Sequence, residues 1–454
     1  MSALFVPVLR LLGGCATLPN VSKVIDKSPS GQETPRIGSA KGLLSPEKSE
    51  AIMARLKLAV DPTDVLERLN TVTESVTESP LTKGNKVTLL ANGQAAYARM
   101  FKAIEGAEDH INLETFIIDD DEVGRKFSDL LLKKQAEGVQ VNLIFDSVGS
   151  YSTPAAFFKR LRDSGVRVTE FNPVNPLKVH KHWLLHPDHR KILVIDGKTA
   201  IAGGVNISAV YSSKLSDRAE TKNAPLPWRD TDVQVEGPAV AEFQKLFLTT
   251  WEKQAGSQLV DRKYFPQLKE AGTALVRVVG STPGQNNRLT FIVYAAAFIF
   301  AQRSIHLTNA YFIPDDQVLD ALTDAARRGV DVKIIVPSVT DSQRAFRAQR
   351  YNYSELLKAG VRVYERRNAL LHAKTAVIDG VWSTVGSTNM DFWSFASDNE
   401  VNTVVLSTGV ASEMEEMFAM DLAESGEITL KEWKKRPLLP RLKEWLAHLV
   451  EHWL

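Results

Sequence analysis

His189-Arg190-Lys191-Ile192-Leu193-Val194-Ile195-Asp196 decides the fold, because a second stretch of the chain is built on the same plan. That second stretch is His372-Ala373-Lys374-Thr375-Ala376-Val377-Ile378-Asp379. In both, Lys follows His by two residues and Asp follows it by seven, and then Gly and Asn follow it by fourteen and seventeen. Equal spacing at so many positions indicates that the chain contains two copies of one unit.

The apolar run between Lys and Asp in each copy predicts a buried strand. Because side chains alternate along a strand, the His and Lys of one copy share a face and are able to contact one ligand. A neutral imidazole is able to attack phosphorus, an ammonium group binds phosphate oxygens, and the Asn amide donates to the same group. Asp196 and Asp379 lie on the opposite face, where we expect structural ion pairs.

The composition is that of an ordinary globular protein. The chain has 454 residues, of which 44% are hydrophobic and 24% charged, with a net charge of +1. This length suffices for two or more domains with large cores. The near-zero charge lacks the basic field typical of nucleic-acid-binding proteins, so no nucleic-acid partner is expected. No stretch reaches the ~20 apolar residues that a membrane-spanning helix requires.

The only cysteine, Cys15, follows a short apolar segment and two glycines. This arrangement resembles a bacterial lipoprotein processing site, and it predicts a lipid anchor at Cys15 on a bacterial cell membrane. The alternative is an irregular N-terminus with a chance cysteine. Residues 18–50 are predicted to form a linker, residues 43–69 a helix, and residues 71–86 a loop. Residues 1–85 therefore form the predicted anchor, linker and helix region.

An internal repeat follows, in which strands alternate with helices. In the first unit, the strands are at 109–116, 138–146 and 165–168, and the helices are at 123–135 and 157–162. In the second, the strands are at 304–309, 329–336 and 361–364, and the helices are at 315–328 and 356–360. This order predicts an α/β architecture with two lobes, 86–270 and 271–425, facing each other across a pseudo-two-fold axis.

A third repeated piece lies downstream of each His-Lys-Asp motif. Trp228-Arg229-Asp230-Thr231-Asp232-Val233 and Ser397-Asp398-Asn399-Glu400-Val401-Asn402 occupy the same place in the two units. We align Asp232 with Glu400. An insertion at 210–226 in the first unit is predicted to be a surface loop near the mouth of the site.

The C-terminal region, 426–454, is predicted to contain an amphipathic helix. Apolar side chains recur at helical spacing, at Leu438, Leu442, Trp445, Leu446, Leu449, Val450, Trp453 and Leu454. One interpretation packs this apolar face on the protein core. The other is an interfacial helix that inserts Trp and Leu into a bilayer surface.

With both copies of H-x-K-x4-D-x6-G-[GS]-x-N in view, the chain resembles the phospholipase D superfamily, and within it the bacterial cardiolipin synthases. Residues 85–425 carry the resemblance. The segments that match this subgroup in particular are 111–116, 203–206, 228–231, 386–391 and 399–400. The resemblance implies two pseudo-symmetric α/β lobes with the active site between them, acting without a metal or other cofactor.

The resemblance also implies a mechanism. One His attacks the phosphodiester and forms a phosphohistidine, and the other protonates the leaving alcohol. Family precedent favours His189 as the nucleophile and His372 as the acid, although the near-symmetry of the sequence leaves this open. The implied catalytic set is His189, Lys191, Asp196, His372, Lys374 and Asp379; phosphate binding falls to Asn206, Ser387 and Asn389, and orientation of the imidazoles to Asp232 and Glu400. Gly204, the counterpart of Ser387, offers only backbone.

The implied activity is transfer of a phosphatidyl group to the hydroxyl of phosphatidylglycerol, with phospholipids and a membrane surface as partners. The sequence leaves three alternatives open. They are a hydrolytic phospholipase D, a phosphodiester nuclease of the same fold, and a protein that only binds. The near-zero net charge argues against the nuclease, and the intact motifs in both units argue against binding alone.

Overall fold

The computed structural model describes residues 17–28, 35–59, 65–173, 186–212, 226–255, 258–259, 262–283 and 288–450. Cys15 and most of the 210–226 insertion lie outside the described residues. Within the described part, no helix combines the length and apolar character needed to cross a membrane.

Nineteen strands and fifteen α-helices of the described residues are labelled here in chain order. The strands are β1 (Ile37–Ser39), β2 (Gly42–Leu43), β3 (Leu81–Leu90), β4 (His110–Thr115), β5 (Gln140–Asp146), β6 (Arg167–Phe171), β7 (Ile192–Ile195), β8 (Thr199–Gly203), β9 (Trp228–Arg229), β10 (Asp232–Glu236), β11 (Ala274–Ser281), β12 (Ser304–Asn309), β13 (Asp331–Pro337), β14 (Arg362–Arg366), β15 (Leu370–Leu371), β16 (Lys374–Ile378), β17 (Trp382–Gly386), β18 (Glu400–Leu406) and β19 (Ser425–Ile428). The helices are α1 (Val21–Lys27), α2 (Pro46–Leu58), α3 (Arg68–Val76), α4 (Gly93–Glu105), α5 (Glu122–Ala136), α6 (Ala155–Asp163), α7 (Val240–Ala255), α8 (Leu289–Phe300), α9 (Asp316–Arg327), α10 (Gln343–Tyr351), α11 (Tyr353–Ala359), α12 (Phe392–Ala396), α13 (Thr408–Ala423), α14 (Leu430–Lys434) and α15 (Leu438–His448).

The two halves of the chain form two sheets with the same strand order. The first sheet runs β6-β5-β4-β7-β8-β10-β3, and the second runs β14-β13-β12-β16-β17-β18-β11. In each, three strands joined by helical crossovers are parallel, and the remaining pairs are antiparallel. The predicted α/β fold with two repeated lobes is confirmed.

The two sheets meet through their last strands. β3 pairs with β11 in antiparallel register, with Asn85 opposite Ala274 and a shift of register before Val276. A buried apolar cluster contains residues of both sheets, among them Val194, Val235, Val276 and Val405. Because burial of this shared cluster stabilises both sheets together, the ends of the two motif strands are held in a fixed relation.

The N-terminal region differs from its prediction. α1 lies within the predicted linker, and α3 lies where a loop was predicted. Leu69, Val72 and Val76 of α3 recur at helical spacing, and Val21 of α1 joins Leu69 and Val72 in the core cluster of the second half. The many Thr, Ser and Glu residues around this spacing obscure it in the sequence. Part of the region is therefore packed on the second half rather than extended.

Each motif aspartate begins the three-residue hairpin loop that follows its strand, at 196–198 and 379–381. Asp196 and Gly197 both have positive φ, +52° and +63°, and Asp379 and Gly380 have +52° and +65°. These values are typical of the tight hairpin turn that Asp-Gly favours. The Asp196 carboxylate accepts hydrogen bonds from the backbone amides of residues 108–110, and the Asp379 carboxylate from those of residues 302–304.

The expected ion pair is wrong for Asp196, whose partners among the described residues are backbone amides. The amides are sufficient partners because a carboxylate accepts several hydrogen bonds, and the first backbone N–H groups of a strand are free to donate them. Asp196 and Asp379 thus fasten their hairpins to the start of β4 and β12, at the strand ends away from the histidines. Their assignment to the catalytic set is corrected to a structural role.

Candidate active site

His189 is held by the other half of the molecule. Its backbone amide donates to the Asn399 carbonyl oxygen at 3.0 Å, and its Nδ1 lies 3.1 Å from Glu400 Oε1. Both side chains are buried. The expected contact between Glu400 and a motif histidine is present, and it crosses from the second half to the first.

His372 has the reciprocal arrangement. Its backbone amide donates to the Arg229 carbonyl oxygen at 2.8 Å, and its Nδ1 lies 2.6 Å from Asp230 Oδ2. Each half therefore supplies a carboxylate to the histidine of the other half. The exchange brings the two imidazoles close enough for the charge of each half's lysine to act on the histidine of the other half.

The structure corrects the alignment of Asp232 with Glu400. In the first sheet Asp232 pairs with Gly203, whereas in the second Asn402 pairs with Gly386. Gly203 and Gly386 are equivalent motif positions, so the counterpart of Asp232 is Asn402. A shift of two residues leaves a side chain on the same face of a strand, which is why the sequence pattern did not distinguish the two aspartates.

Asp232 itself has a packing role beside the site. Its Oδ1 accepts from the Val205 amide at 3.0 Å, and burial raises its pKa to about 8. A carboxyl group that is neutral at pH 7 is a poor stabiliser of an imidazolium. The residue that fits the His-orienting role is therefore Asp230.

Gly204 shows why the two halves differ at this position. A Cβ atom there would lie 2.1 Å from Asp230 Oδ1, so any side chain displaces the carboxylate. In the second half the equivalent residue is Ser387, whose hydroxyl donates to Glu400 Oε2. The glycine at position 204 was the signal in the sequence that another group, here the Asp230 carboxylate, packs closely against the backbone.

The two motif lysines occupy equivalent positions. Lys191 Nζ donates to the His189 carbonyl oxygen at 2.6 Å, and Lys374 Nζ donates to the His372 carbonyl oxygen. Both are buried, and burial lowers the pKa of Lys191 to about 7 and lowers that of Lys374. Each ammonium thus lies on the same side of the strand as its histidine, as the two-residue spacing predicts.

His372 Nδ1 has three polar neighbours, of which Asp230 is the bonding partner. Lys374 Nζ is 2.9 Å away and Tyr211 Oη 3.4 Å away, both farther than the carboxylate. Lys374 already donates to a carbonyl oxygen, and among the three only the carboxylate is purely an acceptor of a hydrogen bond from Nδ1–H. The Nδ1–H tautomer leaves Nε2 to face a substrate.

The two predicted phosphate-binding asparagines differ in their environment. Asn206 Nδ2 donates to Tyr211 Oη at 2.9 Å, and its Oδ1 accepts from the Ile117 amide at 3.2 Å. Asn389 is buried, and its Oδ1 has no hydrogen-bond partner among the described residues. Tyr211, which the sequence did not single out, therefore connects Asn206 to His372.

Aromatic rings surround both imidazoles. Phe116 lies edge-on to His189, with ring centroids 5.0 Å apart. Trp228 and Tyr311 lie 5.1 and 6.2 Å from His372. Sequence reasoning gave none of these rings a role at the site, because nothing in their spacing separates them from core residues. They exclude water, which strengthens the electrostatic interactions inside.

The electrostatics of the two histidines are unequal. Burial, followed by the charges of Lys191 and Lys374, holds the pKa of His189 well below its usual value. Burial and Lys374 also lower the pKa of His372, but Asp230 opposes them. His189 is therefore the more strongly deprotonated of the two.

Their carboxylate partners are unequal as well. Burial raises the pKa of Glu400 to about 7, with Lys191 acting against it. Burial also acts to raise the pKa of Asp230, but Lys374 and His372 outweigh it, so the pKa falls below its usual value. Asp230 is therefore the carboxylate of the site that stays ionised. Among the described residues, no group of three or more His, Cys, Asp or Glu side chains has the geometry of a metal site.

Comparison with known proteins agrees with this geometry. A family model described as "Cardiolipin synthase, PLD-like domain" matches residues 100–217 and 296–422. Cardiolipin synthase of Alkalihalophilus pseudofirmus is 34% identical over 375 residues, covering 82% of this chain and 73% of that protein. Cardiolipin synthase A of Pseudomonas aeruginosa is also 34% identical over 375 residues, covering 83% and 74%.

A solved structure has the same fold at low sequence identity. Phosphatidylserine synthase of Haemophilus influenzae superposes with a TM-score of 0.62 at 14% identity, covering 86% of this chain and all of that one. The fold, the paired motifs and the relatives agree. The chain belongs to the cardiolipin synthase family of phospholipase D-like enzymes.

Proposed function

We propose that the protein transfers a phosphatidyl group, through a phosphohistidine, to a hydroxyl of phosphatidylglycerol at a bacterial cell membrane. The observation that supports this most directly is the crosswise pairing of His189 with Glu400 and of His372 with Asp230. It engages Nδ1 of each imidazole and leaves Nε2 available for a phosphate, while the charges of Lys374 and His372 act on His189. A two-step displacement at phosphorus requires such a pair.

In the first step, His189 Nε2 attacks the phosphorus of the donor lipid. A P–N bond forms and the P–O bond to the leaving alcohol breaks, while His372 gives its Nε2 proton to the departing oxygen. Lys191 and Lys374 offset the charge on the phosphoryl oxygens, and Asn206 and Asn389 donate to the same oxygens.

In the second step, His372 accepts the proton of the incoming hydroxyl as that oxygen attacks phosphorus. The P–N bond breaks and His189 returns to the neutral form. With phosphatidylglycerol as both donor and acceptor, the products are cardiolipin and glycerol. With water as the acceptor, the product is phosphatidic acid, so the choice of acceptor separates a transferase from a hydrolase.

The unequal electrostatics support a division of roles. His189, with the more strongly lowered pKa, has its lone pair free to attack. His372 lies against the anion Asp230, which stabilises the imidazolium that an acid requires. We therefore assign His189 as the nucleophile and His372 as the acid and base.

Product analysis tests the activity. Purified protein is incubated with phosphatidylglycerol vesicles, and the lipids are separated. Cardiolipin with released glycerol is the expected result. Phosphatidic acid without cardiolipin would replace the transferase proposal with hydrolysis, and unchanged lipid would reject both.

A donor with an acidic leaving group separates the two histidines. Phosphatidyl-p-nitrophenol releases nitrophenolate without a general acid, so His372→Ala should still give a burst of nitrophenolate. His189→Ala should give no burst. On phosphatidylglycerol both variants should lose at least ~10²-fold in activity, because each removes a group that forms or breaks a bond. The reverse pattern of bursts would exchange the two roles.

A further inference from the structure

Helix α15 packs on the body of the protein through the side that lies opposite its apolar face. Glu444 and Ala447 are its buried residues. Leu438, Leu442, Trp445 and Leu449, at spacing four, seven and eleven, are 78%, 51%, 46% and 56% exposed. A second exposed stripe beside it contains Leu439, Leu446 and Val450. We call these two stripes the outer face of α15. An amphipathic helix of a soluble protein ordinarily buries such a face.

Among the described residues, the contacts that hold α15 do not involve the outer face. Ala447 packs in a small cluster with Ile313, Ala345 and Ala348. Glu444 forms a paired bond with Arg436, with oxygen–nitrogen distances of 2.5 and 3.0 Å. At the C-terminal end of the helix, the His448 ring stacks on Tyr351 with centroids 3.9 Å apart. Anchoring through a salt bridge, small residues and one stacked ring fixes the helix without its leucines.

Basic residues border the outer face. At 100° per residue, Arg441 and Lys443 fall at its two edges. Arg344 and Arg347, on the neighbouring helix α10, are exposed. Across α10 and α15 the one acidic residue is Glu444, which is buried in its pair with Arg436. In a chain with a net charge of only +1, this is a local concentration of positive charge around an apolar surface.

The buried side of α15, opposite the outer face, packs close to the candidate active site. Tyr311 packs against the small cluster that includes Ala447. The same tyrosine lies edge-on to His372, with ring centroids 6.2 Å apart. The helix is thus one packed layer away from the residue that we assign as the acid.

We propose that α15 docks the enzyme on its substrate bilayer by inserting the outer face into a surface that contains anionic phospholipid. An interfacial helix sinks ~5–10 Å, to the boundary of headgroups and acyl chains, and its Lys and Arg stay at the headgroup level. Docking there holds His189 and His372 close to the phosphates of lipids still in the membrane. This inference rests on the proposed function, because the occupant of the face is the substrate layer of that function.

Sedimentation with vesicles tests the docking. All proteins are full-length and carry Cys15→Ser, so that no acyl anchor contributes. In this experiment, wild type means the chain with this one change. The test variant replaces Leu442, Trp445 and Leu449 with Gln. The matched control replaces Leu43, Leu58 and Met420 with Gln, since these are exposed apolar residues elsewhere in the chain. Circular dichroism and thermal unfolding establish that both variants remain folded.

We expect the test variant to partition onto phosphatidylglycerol vesicles at least ~10-fold more weakly than wild type, and the control to bind as wild type does. Turnover of phosphatidylglycerol in vesicles should fall in parallel. Turnover of a short-chain phosphatidylglycerol, dissolved as monomers, should stay within about twofold of wild type. Raising the salt concentration should weaken binding of the wild type.

Other outcomes have separate meanings. Equal vesicle binding by the test variant and wild type overturns the docking inference and leaves the proposed function untouched. A test variant that binds vesicles normally but changes from dimer to monomer identifies the outer face as an interface between copies, and also overturns it. Wild type that binds vesicles but turns over neither lipid form rejects the proposed function instead.

Discussion

The two histidine–carboxylate pairs come from equivalent positions of a repeat, yet they differ in three respects. His189 faces a Glu that shares its second oxygen with Ser387, and His372 faces an Asp placed beside a glycine. The nitrogen–oxygen distances are 3.1 and 2.6 Å. Burial raises the pKa of Glu400 to about 7, whereas Lys374 and His372 outweigh burial and lower that of Asp230.

This difference shows how a duplicated unit acquires unequal roles without losing its fold. The strand register and the backbone bonds of the two histidines are retained, with Asn399 and Arg229 as equivalent acceptors. The length of the acid and the residue behind it have changed. The symmetric part of the site positions the imidazoles, and the asymmetric part determines which of them holds a proton.

The largest effect on the comparison should come from Asp230→Asn. An amide at this position neither fixes the Nδ1–H tautomer nor stabilises the imidazolium, so we expect kcat/KM to fall at least ~10²-fold. Asp232→Asn is the matched control, because Asn is the natural residue at the equivalent position, Asn402. The control should stay within about fivefold of wild type. Steady-state kinetics on phosphatidylglycerol measure both, and a larger loss in Asp232→Asn would restore the original alignment.

The Asp230 position also marks how far sequence reasoning reached. The two motifs predicted the repeat and the strands, and the family resemblance implied the contact between Glu400 and a motif histidine. The strand period did not separate Asp230 from Asp232, because both lie on one face. It also did not show that Asp196 binds backbone amides. The amides of residues 108–110 lie next to Asp196 only after the chain has folded. The amphipathic pattern of α15 was visible, but periodicity is the same whichever face of a helix packs.

The second-largest effect should follow from filling the space behind Asp230. In Gly204→Ala the new Cβ meets Asp230 Oδ1, so the carboxylate is displaced from His372 and we expect a loss of ~30-fold or more. Ser387→Ala, at the equivalent position, removes one hydroxyl bond to Glu400 and adds no atoms. It should cost less than ~10-fold. Equal losses in the two variants would mean that the halves tolerate change alike, which would contradict the asymmetry between them.

Glu400→Gln should sharpen the comparison through its pH dependence. Because the pKa of Glu400 is about 7, the wild-type carboxyl group is negatively charged above that pH and becomes neutral as the pH falls below it. The anion stabilises the positive charge that His189 gains when it is phosphorylated. Lys191, with a pKa of about 7, titrates in both proteins, so the quantity to compare is the ratio of wild-type to variant kcat/KM, which should rise through pH 7 to ~10-fold at pH 8. A ratio that does not change with pH would assign the titration to another group.

The smallest effect is expected for Tyr211→Phe, which keeps the ring beside His372 and removes only Oη. That hydroxyl accepts from Asn206 Nδ2 at 2.9 Å and lies 3.4 Å from His372 Nδ1. The nearer carboxylate of Asp230 holds the tautomer without it, so kcat/KM should fall only ~3-fold. The loss should appear mainly in KM, because Asn206 loses the partner that orients its amide toward the phosphate oxygens. A loss confined to kcat would instead show that Tyr211 takes part in the proton transfer of His372, and the asymmetry between the halves would then include a third residue.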